Sequence, residues 1–251
     1  MNCLHPTPEQ TFGLRQLWQE AFGDSDAFLD HFWRTGFSPS RCLCIGEGNA
    51  VYAALYWFDC SLEQRKIAYL YAVATGKSHR GQGLCRQLMD ATLAHLQKTG
   101  YSGAILCPEN EGLFAMYRKM GFSQQLSVRE FTALPGETPV TLRTVDAAEF
   151  ARLRRKVLPV DGVLQEGESL PFLAGFVQFY AGDGFLLTGS LEEGKLSAME
   201  FLGDCTLAPG LLTALGAKSG DFRTPGEGTP FALYAPLDHH AAPGYLGLDF
   251  L

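Results

Sequence analysis

Between residues 73 and 86 the chain reads Val-Ala-Thr-Gly-Lys-Ser-His-Arg-Gly-Gln-Gly-Leu-Cys-Arg. An apolar run suited to a strand ends at Thr75, a short polar loop follows, and Gly81 and Gly83 open a stretch with helical periodicity. Glycine lets successive backbone N–H groups turn toward one point, and a helix start adds about half a positive charge. Together they can cradle an anion, with Arg80 and Arg86 available to meet phosphate. The segment is neither a Walker loop nor a dinucleotide fingerprint, whose third glycine position is taken by Arg86. The plainer alternative is a glycine-rich helix start that holds no ligand.

The elements that must hold this loop follow from periodicity and punctuation. Thr7-Pro8-Glu9-Gln10 has the residue types of a capped helix start, and Leu14, Leu17, Trp18, Ala21 and Phe22 recur at helical spacing until Gly23. Ser25 opens a second helix, with Phe28, Leu29, Phe32 and Trp33 on one face and Gly36 as its stop. Strands are expected over 42–45, 51–58 and 67–75, then a long helix over 83–98 ended by Gly100. A short strand over 103–106, a helix over 111–120 and a strand over 127–132 complete an α/β arrangement.

Arg80-Gly81-Gln82-Gly83-Leu84-Cys85 resembles the pyrophosphate loop, Gln/Arg-x-x-Gly-x-Gly/Ala, of the GCN5-related N-acetyltransferase (GNAT) family, with Cys85 where that family has a small residue. Asn110, Tyr117 seven residues later, and Gly121-Phe122 resemble its Asn…Tyr-x-x-x-Gly-Phe segment. The resemblance covers about residues 1–134 and implies a mixed-sheet GNAT fold with acetyl-CoA as the donor. It also implies that the backbone of Val73, Ala74 and Thr75 pairs with the pantetheine arm like an added strand, one N–H polarising the thioester carbonyl. By the same resemblance Arg80, Gly81, Gln82, Gly83, Leu84, Cys85 and Arg86 hold the pyrophosphate, and Asn110 contacts the arm from the other side. Tyr117 would donate a proton as the thiolate leaves. Against the resemblance, Tyr117 also fits a core aromatic on a helix with Leu113 and Met116.

Direct transfer to an amine is implied, and an alkyl ammonium with a pKa of ~10 must first lose its proton. The strand over 67–75 carries no Asp or Glu, which leaves a water held by Tyr69 and Tyr71, or Glu109, as the base. Leu17-Trp18, Ala21-Phe22-Gly23-Asp24-Ser25 and Phe28 also resemble the enhanced intracellular survival acetyltransferases, which have tandem acetyltransferase folds. In that group the C-terminal carboxylate serves in the active site, which adds the Leu251 carboxylate as a third candidate.

Residues 1–136 hold 12 basic and 12 acidic residues, whereas 137–251 hold 8 and 15, so the net charge of −7 sits in the second stretch. With the Pro/Gly punctuation at 134–139, this change predicts two domains: a catalytic acetyl-CoA-binding domain over 1–136 and a second over 137–251. In the latter, a strand over 140–145, helices over 146–158 and 170–180, strands over 184–191 and 195–202, a helix over 209–215 and strands over 231–235 and 245–250 are expected. That order loosely repeats the first, as in a degenerate GNAT-like domain. It offers no second cradle, since Arg223-Thr224-Pro225-Gly226 has proline where a donor N–H is needed.

Composition narrows the rest. The longest stretch without charge, 169–182, has 14 residues, short of the ~20 a membrane-spanning helix needs. No secretory pattern opens the chain, and seven scattered cysteines suit a reducing cytoplasm. The acidic balance argues against nucleic acid. Cys42 and Cys44 alternate as small apolar residues do, His239-His240 falls in an Ala/Pro-rich turn, and no Cys/His grouping has metal-site spacing. The resemblance thus implies N-acetylation of a small cationic amine or a peptide amine. Transfer of another acyl group, or a non-catalytic acyl-CoA sensor, are the alternatives. The acidic second stretch either attracts cationic acceptors or only keeps the surface soluble. Oligomeric state is not legible.

Overall fold

In the computed structural model, which describes residues 2–250, the chain runs β1 (Cys3–Leu4), α1 (Thr11–Phe22), α2 (Asp26–Thr35), β2 (Cys42–Glu47), β3 (Ala50–Leu62), β4 (Arg65–Thr75), α3 (Leu84–Lys98), β5 (Tyr101–Leu106) and α4 (Glu111–Arg118). It continues β6 (Gln124–Ala133), β7 (Leu142–Val145), α5 (Ala147–Val157), β8 (Leu164–Gln165), α6 (Ser169–Leu173) and β9 (Gln178–Gly182). The last elements are β10 (Phe185–Glu192), β11 (Lys195–Gly203), α7 (Ala208–Leu215), β12 (Ser219–Pro225) and β13 (Thr229–Pro236). These elements make two units: residues up to Gln124 with Leu233–Ala242, and Gln125–Ala232 with the residues from Pro243 on. Among the described residues no helix is long and apolar enough to cross a membrane.

In the first unit the local signals work as the residue types dictate. Gly23 ends α1 in the left-handed conformation, and the Ser25 hydroxyl accepts the Phe28 N–H to start α2. The sheet runs β1-β2-β3-β4-β5 and is completed by the last four residues of β13. Neighbours are antiparallel except β4 and β5. Leu55, Trp57, Leu70, Leu88, Met89, Leu96, Phe114 and Phe122 form a buried core on one face, with α3 and α4 supplying its outer half. Each such side chain stabilises the unit by about 1.5–3 kcal/mol. Tyr234 of β13 lies so close over Gly103 of β5 that a Cβ there would sit 2.1 Å from its hydroxyl oxygen, and that hydroxyl donates to the Ser102 carbonyl at 3.0 Å. Only glycine fits opposite this ring.

In the second unit the sheet runs β6-β12-β11-β10-β9-β7, with β11 and β12 parallel and the other pairs antiparallel. Leu187, Leu196, Phe201, Leu211, Leu212 and Phe222 fill the core beneath α7. Arg154 is fully buried and holds both Glu200 oxygens at 2.7 Å, while the Tyr245 hydroxyl donates to the same carboxylate at 3.2 Å. A buried ion pair is tolerable when its remaining hydrogen-bonding capacity is met, as it is here.

Several expectations are corrected. The expected boundary between 136 and 137 falls in a loop of the second unit: Gly136 N–H donates to Pro209 O and Val140 N–H to Gly210 O, on the first turn of α7. The units divide at Gln124/Gln125, and Leu233–Ala242 joins the first. The helix expected over 170–180 is only α6, because from Val177 on the buried residues, Val177, Phe179 and Ala181, are spaced by two, and the last two lie in β9. β12 escaped the sequence reading, its Gly220 and Pro225 suggesting a loop. The strand expected over 245–250 makes no ladder. Its segment is fixed instead by Gln165, whose side chain accepts Leu248 N–H and donates to Leu248 O.

Candidate functional site

β4 and β5 pair in parallel only from Lys66↔Tyr101 to Tyr69↔Ile105. Beyond that point β4 stays paired with β3 as far as Thr75, so its other edge, residues 70–75, is left without a strand partner. Unpaired strand edges present N–H and C=O groups that an extended ligand can meet. A bulge re-aims this edge: Ala54 faces Ala74 and Tyr56 faces Tyr71, so Ala72 and Val73 together oppose Leu55. Ala72 sits at φ +48, a non-glycine residue in the left-handed region, which costs of order 1–3 kcal/mol.

The glycine-rich loop follows directly. Gly81 and Gly83 have φ of +74 and +80, and a Cβ on either would meet nothing within 4 Å. Gly83 stands at the N-cap of α3, where no side chain caps the free N–H groups and no acid lies in the first turn. A fifteen-residue helix therefore ends in uncompensated donors above open space, a fit for an anionic group. Arg80 folds back so that Nε donates to Thr75 O at 3.1 Å, and Gln82 donates to Ser78 O at 3.2 Å; both side chains brace the loop. Arg86 donates to Lys119 O at 2.7 Å, which ties α3 to the end of α4. Leu84 is buried in the core beneath the loop, and Val73 packs against that core.

Tyr117 enters the same core from α4, edge-to-face with Phe122 at 5.9 Å. Burial pushes its hydroxyl well above the ordinary tyrosine range, and the Cys85 thiol nearby pushes the same way. Burial likewise raises the Cys85 thiol, which stays a neutral thiol rather than a nucleophilic thiolate. Asn110 is the N-cap of α4, its Oδ1 accepting Leu113 N–H at 3.1 Å, so its amide NH2 remains for a ligand.

The opposite face of β4 carries Tyr71, one of the two tyrosines expected to hold a water. Tyr71 packs there with Trp18, Phe32 and Phe58, ring centroids 5.5–6.0 Å apart. Asp24, from the turn between α1 and α2, accepts the Trp18 indole N–H at 2.8 Å, and its charge adds to the burial that raises the Tyr71 hydroxyl. A carboxylate from outside the strand is thus held by Trp18 within electrostatic reach of Tyr71, whereas residues 67–75 themselves carry none. Of the expected bases, Tyr69 is buried, Glu109 is exposed, and Leu251 lies outside the described residues. Cys42 and Cys44 are buried thiols, His79 stacks on Tyr52 at 4.2 Å, and His240 pairs with Asp238; among the described residues no grouping suits a metal ion.

The tyrosines give a pH prediction. Tyr56, Tyr71 and Tyr117 are raised by burial, so the native state keeps protons that the unfolded chain loses above about pH 10. Their contribution to stability is complete below pH 10 and is lost as pH rises through and above that value. Tyrosinate absorbance should therefore show these residues ionising together with loss of structure, and titration of all tyrosines near pH 10 in a folded protein would contradict it.

Residues 5–125 match the acetyltransferase (GNAT) domain family. No curated protein matches the chain. Among solved structures, a GCN5-related N-acetyltransferase from Kribbella flavida superposes over 93% of this chain and 70% of its own, with 17% identity and a TM-score of 0.69. One from Anabaena variabilis covers 94% and 73%, with 13% identity and a TM-score of 0.68. Eis1 from Mycobacterium abscessus covers 95% and 74%, with 10% identity and a TM-score of 0.66. At these identities the likeness establishes the fold, and it extends through both units.

Proposed function

We propose, from the match of residues 5–125 to the GNAT acetyltransferase domain family, that the protein transfers the acetyl group of acetyl-CoA directly to an amine. The observation that carries the reading is the opening between β4 and β5 beside the bare, glycine-lined start of α3. The pantetheine arm pairs with the free edge at Val73, Ala74 and Thr75. The pyrophosphate is held by the N–H groups from Gly81 to Arg86, with the Arg80 and Arg86 side chains bracing the loop. Asn110 offers its amide from the start of α4.

A donor such as Tyr117 must keep its proton until the thiolate departs. Burial does this, since the neutral hydroxyl is favoured throughout the physiological range. The thiolate is a weaker base than a tyrosinate, so Tyr117 shares its proton with the sulfur only as the C–S bond breaks, and full transfer is completed when the tyrosinate regains a proton from water. On the other face of β4, Asp24 attracts the acceptor ammonium and, with the Tyr71 hydroxyl, orders a water that relays the amine proton to bulk solvent. The second unit is a GNAT-like partner without a coenzyme cradle: Pro209 removes a donor from the first turn of α7.

The test is release of free CoA thiol over a panel of cationic, neutral and anionic amines at low and high salt. Cationic amines should raise release most, and their apparent affinity should weaken with salt, as exposed charges are screened over ~8–10 Å. Stoichiometric acetyl-CoA binding with no amine-dependent release would overturn catalysis and leave a sensor. A preference for anionic amines would remove Asp24 from the acceptor side.

A further inference from the structure

The second unit contains a cleft of about 660 Å³, within the range of small-molecule sites, that the transfer reaction does not use. Its floor is a row of laterally paired residues across four strands: Thr132 on β6, Asp221 on β12, Ser197 on β11 and Ser190 on β10. One wall is apolar. Phe172 stands edge-to-face against Phe176 at 5.4 Å and against Phe250 at 5.7 Å, and the Phe176 ring remains 42% exposed.

Charge around the cleft is unbalanced. Glu130, Glu192, Asp221 and Asp249 line it, against Arg223 alone among its lining cations. Lys195 reaches Asp221 at 2.6 Å from the neighbouring strand. Arg223 is already committed: it pairs with Asp249 at 2.8 Å, faces Glu130 at 3.7 Å and lies over the Phe231 ring at 4.3 Å. Glu192 has no cation partner among the described residues. Two negative charges thus remain beside exposed aromatic surface.

We propose that this cleft binds an organic cation: a protonated primary amine carried on an aromatic or similarly sized apolar body. The ring faces and the excess of negative charge, with Glu192 unpaired, both attract such a group, while the same charge repels anions, phosphates included. The apolar body lies against Phe172 and Phe176, the serine and threonine hydroxyls line the floor, and the ammonium points to Glu192.

Met199 lines the cleft and is the single methionine of the second unit, the others being at 1, 89, 116 and 120. Protein labelled with ¹³C at methionine methyls therefore reports this cleft by one signal, assigned with Met199→Leu. Phenethylamine should shift the Met199 signal saturably, 2-phenylethanol should do so more weakly, and phenylacetate should leave it unmoved. Glu192→Gln and Phe176→Ala, both at exposed positions, should each weaken the phenethylamine response roughly 3–10-fold with the Met89 signal unchanged. A Met199 signal indifferent to phenethylamine, or equally responsive to all three compounds, overturns the proposal. Because the readout needs neither acetyl-CoA nor turnover, it stands or falls apart from the proposed transferase activity; effects on that site would instead be read from Met116 of α4 and Met120 just beyond it.

Discussion

Replacing Gly83 by valine is expected to lower acetyl-CoA affinity by about 100- to 10,000-fold. The Cβ and its branches would occupy the open space above the start of α3, where nothing of the protein lies within 4 Å. Charge-assisted hydrogen bonds contribute ~1.5–3 kcal/mol each, so losing two of them costs roughly 3–6 kcal/mol. The φ of +80 also disfavours valine, by about 1–2 kcal/mol of stability. Calorimetric titration of acetyl-CoA, with thermal melting to confirm a folded protein, separates the two effects. Unchanged affinity in a folded Gly83→Val protein would show that the phosphates bind elsewhere.

Tyr117→Phe should reduce turnover by ~100- to 10,000-fold, the usual range for loss of general acid catalysis, while acetyl-CoA affinity changes little. The ring remains to pack against Phe122, so the core cluster is preserved and only the hydroxyl is lost. The loss should be greatest with acetyl-CoA and smaller with an activated thioester whose thiolate needs no proton. Wild-type turnover on a verified acceptor would assign protonation of the thiolate to solvent and leave Tyr117 a packing residue.

The parts of the site that depend on local rules were legible. β4, the glycine pair and α3 succeed one another within a short stretch, each announced by residue type, and the structure has them in that form. Asp24 was named only within a resemblance, because its role depends on contacts with Trp18, six residues away, and Tyr71, forty-seven away. No local pattern encodes either. The bulge at Ala72-Val73 was hidden for a similar reason, since it is a property of two strands rather than one. The boundary expected at 136 shows the opposite failure. Pro135 and Gly136 do lie in a loop, but a loop signal carries no information about which sheet the flanking strands enter. β9 was mistaken for helix because Leu170, Phe172, Leu173, Phe176 and Val177 have helical spacing up to the point where the period changes to two.

The strand that completes the first sheet bears on how the protein comes into being. Leu233–Pro236 lies more than a hundred residues downstream of the elements it joins. During synthesis α1 to α4 emerge and collapse while the edge of β5 that will accept it, with the space over Gly103 that Tyr234 will fill, is still bare. At ~5–20 residues per second this interval lasts roughly 5–30 s, long for an exposed strand edge. The first unit is thus the first to be made and among the last to be finished, and a ribosome that stalls in the second half leaves a nascent chain whose first half still carries a bare strand edge.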